Sequence, residues 1–187
     1  MSKALIAVAV LVIIIGGYIW TTYNKLITVN ETIDNQWAQV ETQYQRRFDL
    51  IPNLVESVKG VMSQEQKIFG DLAEARTQYA GANNSDQKAE AATQVEGALG
   101  RLLVIMENYP ELKSSENVQT LMAQIEGTEN RISVERKRYN DTVKDFNIMT
   151  KRIPAKWIAS WLGFSQRNYF ESTQGSENAP KVNLQNN

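Results

Sequence analysis

The chain has 187 residues, 42% of them hydrophobic, with 10 glycines, 4 prolines, no cysteine, no histidine and a formal net charge of −1. The absence of thiol and imidazole excludes disulfides, thiolate nucleophiles, Cys/His metal sites and histidine acid–base catalysis. The near-zero net charge gives no overall polyelectrolyte footprint for nucleic acid, and the long stretches between Gly and Pro suit helices better than many short strands.

From Ala4 to Trp20 the chain reads ALIAVAVLVIIIGGYIW, free of Asp, Glu, Lys and Arg. This is the short end of what spans a bilayer, and Thr21 and Thr22 extend it. Tyr18, Trp20 and Tyr23 gather at its C-terminal end, where amphipathic rings favour the headgroup layer. No A-x-A-like cleavage site follows and no lipobox cysteine is present, so residues 1–22 read as an uncleaved transmembrane anchor. Lys3 and the α-amine precede the span. The region after it carries Lys25 against Glu31, Asp34 and Glu41, a bias that favours a cytoplasmic N-terminus and an external domain.

Residues 23–153 carry four apolar stripes at helical spacing. The first runs Ile33, Trp37, Val40, Tyr44 and Ile51, then Val55 and Val58. Its steps of four and three are of coiled-coil type. Pro52 predicts a kink or a restart, because it removes a donor and crowds the carbonyl of Phe48, and Gly60 is a plausible end. The second stripe is Val61, Ile68, Leu72, Ala75 and Tyr79. It closes in the turn-rich run 80–85, where Ser85 is the expected N-cap. The third is Val95, Leu99, Leu102, Met106 and Tyr109, stopped by Pro110, with a loop at 112–116. Gly97 and Gly100 within it suggest close helix contact. The fourth, capped by Ser114 or Ser115, is Val118, Leu121, Ile125, Thr128, Ile132, Tyr139, Val143 and Phe146, ending before Pro154. The expected fold class is therefore all-α: an N-terminal transmembrane helix followed by an antiparallel up-and-down four-helix bundle, long-short-short-long. An intermolecular coiled coil is the alternative, disfavoured by the short loops. Residues 154–171 form a Trp-rich amphipathic segment, and residues 172–187 are polar enough to predict a flexible tail.

Charge is unevenly placed. Residues 81–130 carry 3 positive and 8 negative side chains, and residues 131–187 carry 10 positive and 5 negative. Two groups of residues stand out. Arg46, Arg47 and Asp49 lie in the middle of the first long helix, and Glu129, Arg131 and Arg136 in the last. Antiparallel packing brings these charges together, either as an ion-pair network that fixes register or as a patch for docking a partner or an anion. In the second group, Lys151, Arg152, Lys156, Trp157, Trp161 and Phe164 follow the last helix. An up-and-down bundle returns that end to the membrane, so these residues either line the bilayer interface or cap the open end of the bundle. In this reading Trp157, Ile158, Trp161 and Leu162 share one face. Glu126 and Glu129 read as a solvated helix face, not as a carboxylate metal cage. No phosphate-loop pattern and no nucleophile–base pair is visible, so no cofactor, metal or catalytic residue is assigned.

Several segments together resemble the LemA family of bacterial membrane-anchored proteins. They are Tyr23-Asn24-Lys25-Leu26, Trp37-Ala38-Gln39-Val40, and the run Gln45-Arg46-Arg47-Phe48-Asp49-Leu50-Ile51-Pro52-Asn53-Leu54-Val55. Further along come Glu107-Asn108-Tyr109-Pro110-Glu111-Leu112, Thr128-Glu129-Asn130-Arg131-Ile132, Arg136, Tyr139-Asn140, Gly163-Phe164 and Tyr169-Phe170-Glu171. The resemblance implies a transmembrane helix, a four-helix bundle and no established enzymatic activity. It also links the chain to relatives associated with membrane-vesicle formation in magnetosome-forming bacteria and with membrane proteostasis. The expected function is a non-catalytic scaffold or adaptor, single-pass in the bacterial cell membrane, with membrane lipid and a protein of the cell envelope as partners. The alternative is a membrane-shaping protein that assembles laterally with further copies of itself.

Overall fold

The computed structural model describes residues 3–170; the expected flexible tail at 172–187 lies outside the described residues. Six helices occur among them: α1 (Lys3–Lys59), α2 (Gln66–Gly81), α3 (Ser85–Met106), α4 (Pro110–Lys113), α5 (Glu116–Lys151) and α6 (Ala155–Trp161). No strand occurs among the described residues. The chain is all-helical, and α1, α2, α3 and α5 follow the long-short-short-long order, with α4 and α6 added. The helices fall into two compact units, α1 with α5 and α6, and α2 with α3 and α4.

α1 is 57 residues long and unbroken. None of its apolar first part is buried, and it is the one described helix long and apolar enough to cross a membrane. Where the span ends, Thr21 donates its hydroxyl to the carbonyls of Gly17 and Tyr18 at 3.0 Å, which satisfies a polar side chain without water. Burial begins at Thr22 and Leu26 and continues through Ile33, Val40, Tyr44, Arg47, Ile51, Leu54 and Val58. From Val40 the buried steps are four, three, four, three and four, the seam of a helix that keeps one face against a partner. Pro52 sits inside α1 without a restart. Ile51 and Leu54 on either side of it are buried, and this packing holds the turn that proline leaves one hydrogen bond short.

α5 supplies the partner face. Along α1, Trp37 meets Tyr139, Tyr44 meets Arg136 and Arg47 meets Thr128, so the α5 numbers fall as the α1 numbers rise. The two helices are therefore antiparallel. The buried face of α5 is Val118, Ile125, Thr128, Ile132, Tyr139, Val143, Phe146, Asn147 and Thr150. Each buried Ile, Leu or Val on this seam contributes about 2 kcal/mol relative to exposure.

In the other unit, α2 and α3 pack as a hairpin joined by a short turn. The N-cap of α3 is Asn84, not Ser85: the Asn84 side chain accepts from the backbone of Gln87 at 2.9 Å, and Ser85 is already helical. Val61 is exposed, and the neighbouring Met62 is buried in its place. Pro110 does end one helix, but it also opens α4 as its first residue, where its missing N–H costs nothing. Leu112, expected in a loop, is buried within α4. Gly97 and Gly100 do not mark a close approach, since a Cβ built at either position meets nothing within 4 Å.

Because α1 is held through Pro52 by packing, the proline is dispensable for the helix. Pro52→Ala is expected to keep the helical circular-dichroism signal and to raise unfolding stability by about 1 kcal/mol, since the missing donor returns. A loss of helicity would show that Pro52 has a positive structural role.

Candidate functional site

Five of the six charged candidates on α1 and α5 fall in three places, and the sixth, Asp49, stands apart. The innermost is Arg47, 1% exposed although it carries a full charge. It occupies the seam position between Tyr44 and Ile51. Its Nε donates to Thr128 Oγ1 at 3.0 Å and its Nη2 donates to Glu129 Oε2 at 2.5 Å. Thr128 in turn donates to the Ile125 carbonyl at 2.6 Å, which fixes its rotamer. Glu129 is 56% exposed, so one end of the pair is buried and the other is wet. One turn away on α1, Tyr44 is fully buried and stacks on Phe48 with ring centroids 5.7 Å apart. Arg136 donates to the Tyr44 hydroxyl, and its guanidinium carbon lies 5.4 Å from the ring centroid. Asp49 belongs to neither group. It accepts from Gln45 at 2.8 Å on the exposed side of the helix.

The third place is a groove of about 420 Å³ between α1 and α5. It is lined by Arg46 and Leu50 on one side and by Ala123, Gln124, Gly127, Thr128 and Arg131 on the other. Small residues at 123 and 127 keep the α5 wall low. Arg46 and Arg131 stand on opposite walls, exposed and without an ion-pair partner among the described residues. Sequence reasoning named both arginines but not the groove, which depends on which face of each helix turns outward. It counted Thr128 as part of an apolar stripe, whereas the hydroxyl is the ligand of a buried cation.

The second group of residues lies past the end of α5. α6 turns Ile158 and Ala159 inward, and leaves Trp157 65% and Trp161 78% exposed. Residues 157 and 158 cannot share a face, being about 100° apart around the helix. The helix ends at Gly163 with φ of +80°, with Phe164 N–H donating to the Ala159 carbonyl at 2.9 Å and Gly163 N–H to that of Ser160 at 3.3 Å. This left-handed cap requires glycine and reverses the chain. Phe164 consequently leaves the tryptophans and packs edge-on to Phe146 at 6.2 Å. Asn147 exchanges two 2.9 Å hydrogen bonds with the backbone of Arg167, Arg167 pairs with Asp34, and Tyr139 donates to the Asn168 carbonyl at 3.2 Å. Lys151, Arg152 and Lys156 are exposed.

A helix long and apolar enough to cross a membrane, continuing into a helical pair with a buried cation at its centre, fits an all-helical membrane protein. The LemA family model matches residues 36–184, and the chain belongs to the LemA family. It is similar to two magnetosome proteins of Paramagnetospirillum magneticum strain ATCC 700264 / AMB-1, MamQ 1 and MamQ 2, each 25% identical over 80% of this chain and 64% of the relative. It is also 24% identical to magnetosome protein MamQ of Magnetospirillum gryphiswaldense, over 79% of this chain and 64% of that protein. The alignments thus span less than two-thirds of the curated relatives' length.

The asymmetry of the Arg47–Glu129 pair predicts unequal losses. Arg47→Ala is expected to cost about 3 kcal/mol, since it empties a packed seam position and strands the Thr128 hydroxyl. Glu129→Gln is expected to cost about 1 kcal/mol or less, because water already screens the carboxylate and an amide oxygen still accepts. Equilibrium unfolding of the full chain in detergent measures both, and a larger loss for Glu129→Gln would contradict this division.

Proposed function

We propose that this chain is a non-catalytic, membrane-anchored scaffold that binds an acidic segment of another cell-envelope protein in the groove between α1 and α5. The observation that carries this reading is the pair of arginines, Arg46 and Arg131, unpaired among the described residues on opposite walls of one groove. Arg47 lies beside Arg46 in sequence yet is buried and neutralised. Arg46 and Arg131 are not used in the same way by the fold. Two guanidiniums over a floor of Leu50, Ala123 and Gly127 suit a helix or strand bearing carboxylates along an apolar edge.

Distance supports a partner that reaches out from the membrane. At 1.5 Å per residue, Arg46 stands about 35 Å along α1 from Tyr23. The proposed topology has the N-terminus cytoplasmic and the helical domain outside. Family membership and the relatives named as magnetosome proteins support a membrane-associated role without enzymatic chemistry.

The test places a photo-crosslinking amino acid at Gln124, on the groove wall, in the full chain in native membranes. The expected result is one stoichiometric adduct whose crosslinked peptide is rich in Asp and Glu. Arg46→Glu or Arg131→Glu should reduce the adduct at least about tenfold while the helical signal stays unchanged, as reversal of a rim charge does. An adduct insensitive to both reversals would overturn the reading. Liposome deformation by the purified chain, with no adduct formed, would favour lateral membrane shaping in its place.

A further inference from the structure

α6 and the bilayer edge are brought together by the register of α1 on α5. Trp37 contacts Tyr139. Lys151, the last residue of α5, is twelve residues beyond Tyr139, and Lys25 is twelve residues before Trp37. Antiparallel helices with equal rise therefore place the end of α5 at about the level of Lys25. The chain after α6 confirms the direction. Phe164 and Arg167 touch the Phe146–Asn147 turn, and Asn168 reaches Tyr139, so the chain climbs back along α5 from a low point at α6. That low point is at about the level of Thr22, the first buried residue of α1, before which none of the apolar stretch is buried.

Several rings near this level are exposed. Trp20 is 70% exposed on α1, with Tyr18 and Tyr23 beside it, and Trp157 and Trp161 project from α6. Ile153 adds an exposed aliphatic side chain. Around them are Lys151, Arg152 and Lys156, none of which has an ion-pair partner among the described residues. α6 is not a loose appendage. Ile158 and Ala159 are buried, and the Asn147–Arg167 bonds clip the following segment to α5. Two large rings held rigidly outward, at the level where a helix leaves hydrocarbon and beside three cations, match the headgroup layer of a bilayer containing anionic lipid.

We propose that α6 is a second, interfacial membrane attachment: Trp157 and Trp161 lie in the headgroup layer of the same bilayer that α1 enters, and Lys151, Arg152 and Lys156 face anionic headgroups. Two attachments fix the tilt of the α1–α5 pair relative to the membrane plane, which a single helical span leaves free. This inference does not rest on the docking groove.

The test uses the full chain with Trp20→Phe and Trp37→Phe, leaving Trp157 and Trp161 as reporters, reconstituted in vesicles of phosphatidylcholine with phosphatidylglycerol. Lipids brominated near the headgroup are expected to reduce emission about twofold, and lipids brominated near the chain ends much less, as for rings held at the interface. Lys151→Gln/Arg152→Gln/Lys156→Gln should reduce that quenching. Blue-shifted emission without bromolipid quenching would place the rings under protein and overturn the proposal, as would emission typical of water. Because Trp37→Phe alters a packed ring, a spin label at Trp161→Cys in the otherwise unchanged, cysteine-free chain gives a second reading. Accessibility to oxygen above that to a water-soluble nickel chelate supports the proposal, and the reverse order contradicts it.

Discussion

A guanidinium withdrawn from water must find its acceptors inside the protein, and Arg47 finds them in one alignment of α1 on α5. The aliphatic residues of the seam, Val40, Ile51 and Leu54, would pack acceptably after a slide of one heptad. Arg47 would not, because a slide carries it away from Thr128 and Glu129 and leaves a buried charge without ligands. The pair need not add net stability over a hydrophobic residue of similar shape. Its effect is on specificity, the role best attested for a single polar residue in a helical seam. The Tyr44–Arg136 contact, one turn along, reinforces the same alignment with a polar pairing of its own.

From that alignment the remaining features follow in order. It sets Trp37 against Tyr139 and so fixes the height at which α5 ends. That height places α6 near the level of Thr22, and the glycine cap at Gly163 sends the chain back along α5 to be clipped by Asn147. The same alignment brings Arg46 and Arg131 onto facing walls while Arg47 is turned inward. Adjacent arginines thus have opposite fates, because successive residues on a helix are separated by about 100°. One holds the helices in register, and the other is presented to a partner.

Much of this architecture was legible in the sequence, because long helices advertise themselves through periodicity. The apolar run at Ala4–Trp20 and the three-and-four spacing after Ile33 required no tertiary information. What escaped were positions where one residue type serves two purposes. Arg47 completes the spacing between Tyr44 and Ile51, but a charged residue reads as an interruption; the step of three and then four was the available signal. Pro110 reads as a terminator, yet proline is equally suited to open the next helix. Asn84 and Ser85 are both good N-caps, and only the backbone decides which is outside the helix. In the C-terminal segment the composition was legible but the faces were not. A seven-residue helix has too few turns for a stripe to declare itself, so the sequence puts Trp157 and Ile158 on one side although they point apart.

The claim that a buried cation sets the register is tested most directly by a distance along the helix axes. The chain has no cysteine, so spin labels can be placed at exposed Glu31 on α1 and exposed Glu126 on α5 without other changes. Double electron–electron resonance on the full chain in nanodiscs should give a single distance with Arg47 present. With Arg47→Met, which keeps the bulk and removes the charge, a second population should appear, displaced along the axis by about 10 Å, the length of one heptad. The same single distance in both proteins would contradict the account and show that Arg47 is not what holds α1 and α5 in place.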